Sequence, residues 1–314
     1  MPATDSRRMV LGYALSLSSV ALFAFNGTVS KTIMATGIPV ERLAQLRVSF
    51  AFVVLLLWVA WRNPRSLRIG SWRELRLLAA YGVFGVMLTQ YLYFVSIERI
   101  PVGITLIIEY TAPLIVALWF RLRHRERFAR GVWAGLGVAL AGLVLIAQVW
   151  DGFVLDGVGV AAAFGAALAF SAYFVMAEVA TAAPYRRDSV SVVLYGFAAT
   201  TVVWAVLQPW WSFPWHFLQG PSAPWSALEL RLPLPLLAAV MVLVGTVVAF
   251  SLNVLALQHL RAAQASAVGM AEPVLASLIA WTLIGESLGA WQVAGILVAS
   301  AGILIAERSR HHFG

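Results

Sequence analysis

The sequence predicts an all-α integral membrane protein of ten transmembrane helices, arranged as two inverted five-helix repeats. Three observations lead there. Over 314 residues the chain is 61% hydrophobic and 11% charged, with a mean hydropathy of +0.85, whereas soluble domains carry about 25% charged residues. No soluble interior of this length hides so much apolar side chain, so lipid must be part of the solvent. The apolar residues are also gathered into ten long stretches joined mostly by short connections. Finally, the first five stretches are echoed in the last five.

Crossing the hydrocarbon core takes about 20 residues of helix or about 9–11 of barrel strand, and only helices and closed barrels satisfy every backbone group in lipid. The stretches have helix length and lack two-residue alternation. The first, 9–35, follows a short polar segment and lacks a cleavage site, so it reads as a retained helix; it holds Asn26 and Lys31. The second, 41–61, carries Arg47, and the third, 75–97, carries Gln90 and Tyr93. The fourth, 101–120, contains Glu109, Tyr110 and Pro113. The fifth, 131–149, has Gly131-x-x-x-Gly135, suited to close helix packing. The sixth, 157–180, brings Tyr173 and Glu178, and the seventh is 189–208. Pro209 to Leu232 then holds Trp210, Trp211, Trp215 and Trp225 among prolines. It is expected to lie irregularly at the membrane interface, where tryptophan is favoured, rather than to act as a lid. The eighth, 233–257, carries Asn253; the ninth, 262–284, carries Glu272 and Pro273; the tenth, 290–306, has small residues at Gly295, Ala299 and Gly302.

An even number of spans puts both termini on one side. That side collects the arginine clusters at 62–76 and 121–130, while the other holds Arg42, Arg99 and Arg231. Basic loops stay inside, so both termini are expected in the cytoplasm of a multi-pass cell-membrane protein. The net charge of +8 is then an orientation signal facing the lipid bilayer and calls for no nucleic-acid partner.

Displacing the sequence by 160 residues lays helices three to five on eight to ten without a gap. Gly85 meets Gly245, Pro113 meets Pro273 and Glu126 meets Glu286. A weaker match at 145 pairs Ala24-Phe25-Asn26-Gly27 with Ala169-Phe170-Ser171-Ala172. The repeats divide as 1–150 and 151–314. An odd number of helices per repeat inverts the second half, and the arginine-rich loop between helices four and five has an uncharged-by-arginine counterpart in Gly285-Glu286-Ser287-Leu288-Gly289. Inverted repeats are a transporter architecture whose site lies at the repeat interface near mid-membrane.

Pro113 and Pro273 sit near the middle of their helices, where proline frees the carbonyl four residues back and kinks the helix. Paired interruptions at matching depth point to a transport site. A charge at a helix centre costs about 2.5–3.5 kcal/mol on insertion scales. Glu109 and Glu272, the deepest, are therefore expected to face a central cavity, to bind a substrate ammonium or to carry a coupling proton. Arg47 is placed beside them or snorkelling outward. Asn26, Gln90, Tyr93, Tyr110, Tyr173 and Asn253 complete the expected substrate-binding set, with Tyr91 as a further member of the polar group. Glu178 reads as interfacial. Glu126 and Glu286 read as structural, close to helix N-termini that favour carboxylates.

With no cysteine in the chain, thiol catalysis and thiolate metal sites are excluded. His124, His216, His259, His311 and His312 fall in loops, at helix ends or in the tail. No catalytic set, metal site or cofactor is expected, and no glycine-rich phosphate cradle marks an ATP-driven pump. A polytopic membrane enzyme is the competing class; inverted repeats give it no purpose.

The stretch Glu272-Pro273-Val274-Leu275-Ala276-Ser277-Leu278-Ile279-Ala280, followed by Gly285-Glu286, resembles the ninth-to-tenth-helix signature of the EamA family of the drug/metabolite transporter superfamily. Ala112-Pro113-Leu114 with Arg125-Glu126-Arg127 resembles the matching signature of the first half. Arg47 stands where an arginine opens the second helix, and Phe25-Asn26-Gly27 stands where Trp-Gly is usual. The resemblance covers nearly the whole chain. It implies ten helices, two EamA repeats, and export or exchange of amino acids and similar small molecules; the assembly is expected to be a monomer or homodimer. Import of a polar nutrient is the runner-up.

Overall fold

A computed structural model describes residues 2–148, 156–219, 232–279, 281–282 and 287–310. Among them there is no strand, and ten helices are long and apolar enough to cross a membrane. They are α1 (Arg7–Met34), α2 (Val40–Arg62), α3 (Trp72–Ile97), α4 (Val102–Arg123), α5 (Arg130–Ala147), α6 (Gly157–Thr181), α7 (Ser189–Leu207), α8 (Leu234–Ala256), α9 (Ala262–Ile279) and α10 (Ala290–Ser309). Each expected span is present, and the differences lie at the ends. α3 starts three residues earlier than its hydropathy suggests because Ser71 Oγ accepts from Glu74 N at 3.1 Å, capping a first turn that is polar. Asp156 and Asp188 cap α6 and α7 in the same way, accepting from Gly159 N at 2.8 Å and Ser191 N at 2.9 Å. Residues 280 and 283–286, which would complete the expected ninth helix, lie outside the described set, and Glu286 with them.

The start of α1 and the end of α10 share one end of the bundle: Tyr13 donates to Glu307. This is the terminal end; the α1–α2 turn marks the opposite end. At the terminal end Arg187 is not a solvated topogenic charge. It is 8% exposed, paired with Glu74, and donates to the Ser66 carbonyl and, at 3.1 Å, to the Arg68 carbonyl. It ties α7 to α3 and to the α2–α3 connection.

α5 and α10 form the closest packed pair. A Cβ on Gly142 would strike the backbone of Ala299, and one on Gly302 that of Ala139; Gly135 likewise abuts Ala306, and Gly295 abuts Ile146. Moving up α5 from Gly131 to Gly142, the neighbours on α10 step back from Ser309 to Ala299, so the two helices run antiparallel. Two of these contacts have mirror images at the 160-residue displacement: Gly142–Ala299 answers to Gly302–Ala139, and Gly135–Ala306 to Gly295–Ile146.

At the opposite end the α7–α8 connection makes two short 3₁₀ turns, Trp210–Ser212 and Trp215–Gln219. Phe213 and Phe217 are buried while Trp211 is 89% exposed, an amphipathic arrangement suited to a membrane interface. Arg42 donates to the Pro209 carbonyl at 3.2 Å and to Ser212 Oγ at 2.7 Å, and the fully buried Gln45 donates to the Gln208 carbonyl at 2.5 Å. Trp225 lies outside the described residues.

Candidate functional site

Both proline-bearing spans are interrupted. α4 consists of two helical pieces, Val102–Glu109 and Ala112–Arg123; α9 consists of Ala262–Gly269 and Ala271–Ile279. In each the break falls just before the proline, which has no N–H to donate to the carbonyl of Glu109 or Gly269. At the break in α4, Thr111 N turns back to Ile108 O at 3.0 Å; in α9, Met270 N bonds Ala267 O at 3.1 Å. Pro113 is itself buried and Pro273 half-buried, and neither lines the cavity.

α3 and α8 each widen into a π-helical turn, Tyr81–Met87 and Leu243–Val248. A π-bulge in a helix frequently marks a functional site. Here each turn carries a glycine that seats a residue from the other half of the chain. Gly85 lies against Tyr173, where an added Cβ would come within 3.0 Å of its Cα, and Gly245 lies against Asn26 with no room for a Cβ at all.

Between these elements is a cavity of about 340 Å³, within the range of small-molecule sites. Residues of α1, α2, α3, α4, α6, α8 and α9 line it. Asn26, Arg47, Gln90, Tyr93, Glu109, Tyr110, Tyr173, Asn253 and Glu272 all reach it. Tyr91 does not; it is 41% exposed on the outside of α3. Glu126 does not start a helix, since α5 begins at Arg130. It pairs instead with Arg261 at 2.6 Å. Glu178 accepts from Ala262 N at 2.5 Å at the head of α9.

Within the cavity the charges are coupled. Arg47, Glu109, Tyr110 and Glu272 lie close enough together in the cavity wall to act on one another electrostatically. Arg47 therefore does not snorkel out to the interface. Tyr173 donates to Asn253 Oδ1 at 3.0 Å, linking α6 to α8. Of the buried polar atoms without a hydrogen-bond partner among the described residues, three belong to cavity-lining side chains: Arg47 Nε, Asn26 Oδ1 and Gln90 Oε1. The rest of the wall is apolar, with Phe23, Phe94, Phe170, Phe174 and Phe250. Sequence reasoning missed this aromatic wall. Phe170 falls in the weaker repeat match; the others resemble the phenylalanines that face lipid.

Residues 10–148 and 157–307 each match the model of the EamA-like transporter family. The threonine/homoserine exporter RhtA of Escherichia coli K12 is 29% identical over 269 residues, covering 84% of this chain and 81% of its own. That of Salmonella typhimurium LT2 is 30% identical over 267 residues with the same coverage. The uncharacterized inner membrane transporter YicL of the same strain is 25% identical over 305 residues and covers 94% of both chains. A chain of known crystal structure superposes with a TM-score of 0.75 over 98% of both chains at 18% identity, which shows a shared fold. With both stretches matching one family across ten spanning helices, the chain belongs to the EamA-like transporter family and is a multi-pass membrane transporter.

Proposed function

We propose that the chain is a secondary transporter that exports or exchanges amino acids or closely related compounds by alternating access, with the cavity as its substrate site. The observation that carries this is the charged lining of an otherwise largely apolar cavity, where Arg47, Glu109 and Glu272 meet. Arg47 supplies a guanidinium for a carboxylate, and Gln90 adds a polar side chain beside it. Glu109 supplies the charge for an ammonium; Glu272, beside Tyr110, offsets Arg47. Such a site is complementary to a zwitterion, and the phenylalanine wall receives its apolar part. The RhtA relatives, exporters of threonine and homoserine, support the same class.

In this reading the two family matches correspond to repeats 1–150 and 151–314, inverted with respect to one another, and the antiparallel α5–α10 seam supports the inversion. The terminal end is cytoplasmic, and Glu109 or Glu272 carries a coupling proton. No chemical step or cofactor is involved.

The test is counterflow: purified protein in liposomes loaded with unlabelled candidates and offered a panel of labelled metabolites. Exchange of one or more amino acids is expected. Exchange confined to sugars or other neutral polar nutrients would overturn the reading in favour of a nutrient importer.

A further inference from the structure

The two interrupted helices are repeat counterparts, yet their first halves are packed very differently. In α9 the first half, Ala262–Gly269, is built from small residues and buried apart from Gln264. It packs on α1 and α10, and also on α6 and the second half of α4. In α4 the first half, Val102–Glu109, packs on α3, α5 and α6 but makes no comparable packing with α1 or the second half of α9 among the described residues. Its Leu106 and Glu109 instead line the cavity, together with Met34 and Val40 of the α1–α2 turn. The cavity thus extends toward the opposite end and is plugged at the terminal end by the first half of α9.

That plug is fastened by charge. Arg261, at its head, reaches Glu126 beyond α4 at 2.6 Å and Glu178 at the end of α6 at 3.6 Å, with its guanidinium 5.2 Å from the Phe120 ring centroid. Glu178 also caps the plug by accepting from Ala262 N. A second tie runs from Gln264 Nε2 to Tyr13 Oη at 3.2 Å and on to Glu307. The opposite end has no counterpart of the Arg261–Glu178 pair: the repeat-related positions are Pro101 and Ile33. The Arg261 side chain is 55% exposed and that of Glu126 28%, unlike the Arg187–Glu74 pair at 7% and 10%. Water-exposed pairs are weak and so are reversible on each cycle.

We propose that Arg261 is the centre of a latch that holds the terminal end of the pathway shut, and that opening to that side proceeds by its release from Glu126 and Glu178. The latch rests on the alternating-access reading above. In an exporter whose terminal end is cytoplasmic, it would set how often the empty site is offered to internal substrate.

The natural absence of cysteine makes the test clean. Ser266→Cys places a thiol in the plug, where Ser266 is 1% exposed; Ser30→Cys places one in the cavity wall. Each single-cysteine protein, in right-side-out and inverted vesicles, is treated with a membrane-impermeant maleimide. Adding Arg261→Gln should raise labelling of Ser266→Cys from the terminal face by about three- to fivefold, the scale of one half-exposed ion pair, and lower labelling of Ser30→Cys from the other face. Glu126→Gln, which removes one carboxylate and leaves Arg261 its Glu178 partner, should act in the same sense. Rates that stay unchanged, or that rise at both sites as a loosened fold would make them, overturn the latch. Counterflow by the wild-type protein tests the underlying reading separately: reciprocal labelling without any exchange would sink transport and leave the latch standing.

Discussion

Glu109 and Glu272 share a cavity with a single guanidinium, and that asymmetry defines the experiment. Glu109→Gln removes the carboxylate assigned to the ammonium, so net transport is expected to fall about tenfold or more, each factor of ten being about 1.4 kcal/mol. Glu272→Gln is expected to leave Arg47 without its counter-charge and to weaken retention similarly. A residue that carries the coupling proton will flatten the pH profile of net transport and leave counterflow largely intact; one that binds the ammonium will lower affinity in both assays. A double variant that inserts normally and transports at the wild-type rate and pH profile would make both glutamates structural. The acidic lining was legible from the chain because lipid penalises charged groups, so Glu109 and Glu272 were expected to face inward, whereas Arg47 was left between the cavity and the interface. Phe23, Phe94, Phe174 and Phe250 were not, since phenylalanine is equally at home against lipid and against a cavity. Nor was the pairing of Glu126 with Arg261, two residues far apart in sequence whose meeting depends on the tertiary fold.

At the scale of the helix, glycine placement decides which pairs can approach. Gly142 and Gly302 on the α5–α10 seam meet backbone atoms of Ala299 and Ala139, whereas nothing lies within 4 Å of a Cβ on Gly137. Gly142→Leu should destabilise the protein by about 1–3 kcal/mol, as overpacking does, or prevent assembly. Gly137→Leu, on the same helix and only five positions away, should be tolerated. Thermal aggregation of the two variants in detergent checks the contrast, and equal melting would refute it. The small-residue pattern showed where close packing occurs; which helix fills the groove came only from the structure. The π-helical turns in α3 and α8 were invisible, because their residues are as apolar as those of any regular span.

For the molecule as a whole, the ten spans followed from hydropathy because the bilayer fixes their length. Their ends were shifted where a polar cap such as Ser71 adds a turn outside the apolar stretch. Orientation rests on arginine placement in the clusters at 62–76 and 121–130, and the burial of Arg187 against Glu74 leaves that asymmetry unchanged. Reporter fusions after Arg310 and within Trp210–Ser212 should lie on opposite faces, the first in the cytoplasm; fusions reporting the same face would end the topology. The reciprocal contacts of α5 and α10 carry a historical consequence. A seam whose contacts come in twins is the kind that two identical chains make around a two-fold axis. On the two-repeat reading proposed above, the present chain retains, in one polypeptide, the interface of an ancestral pair. Fragments ending at Gln148 and beginning at Asp156, expressed together, should find one another through that seam and recover transport that neither supports alone.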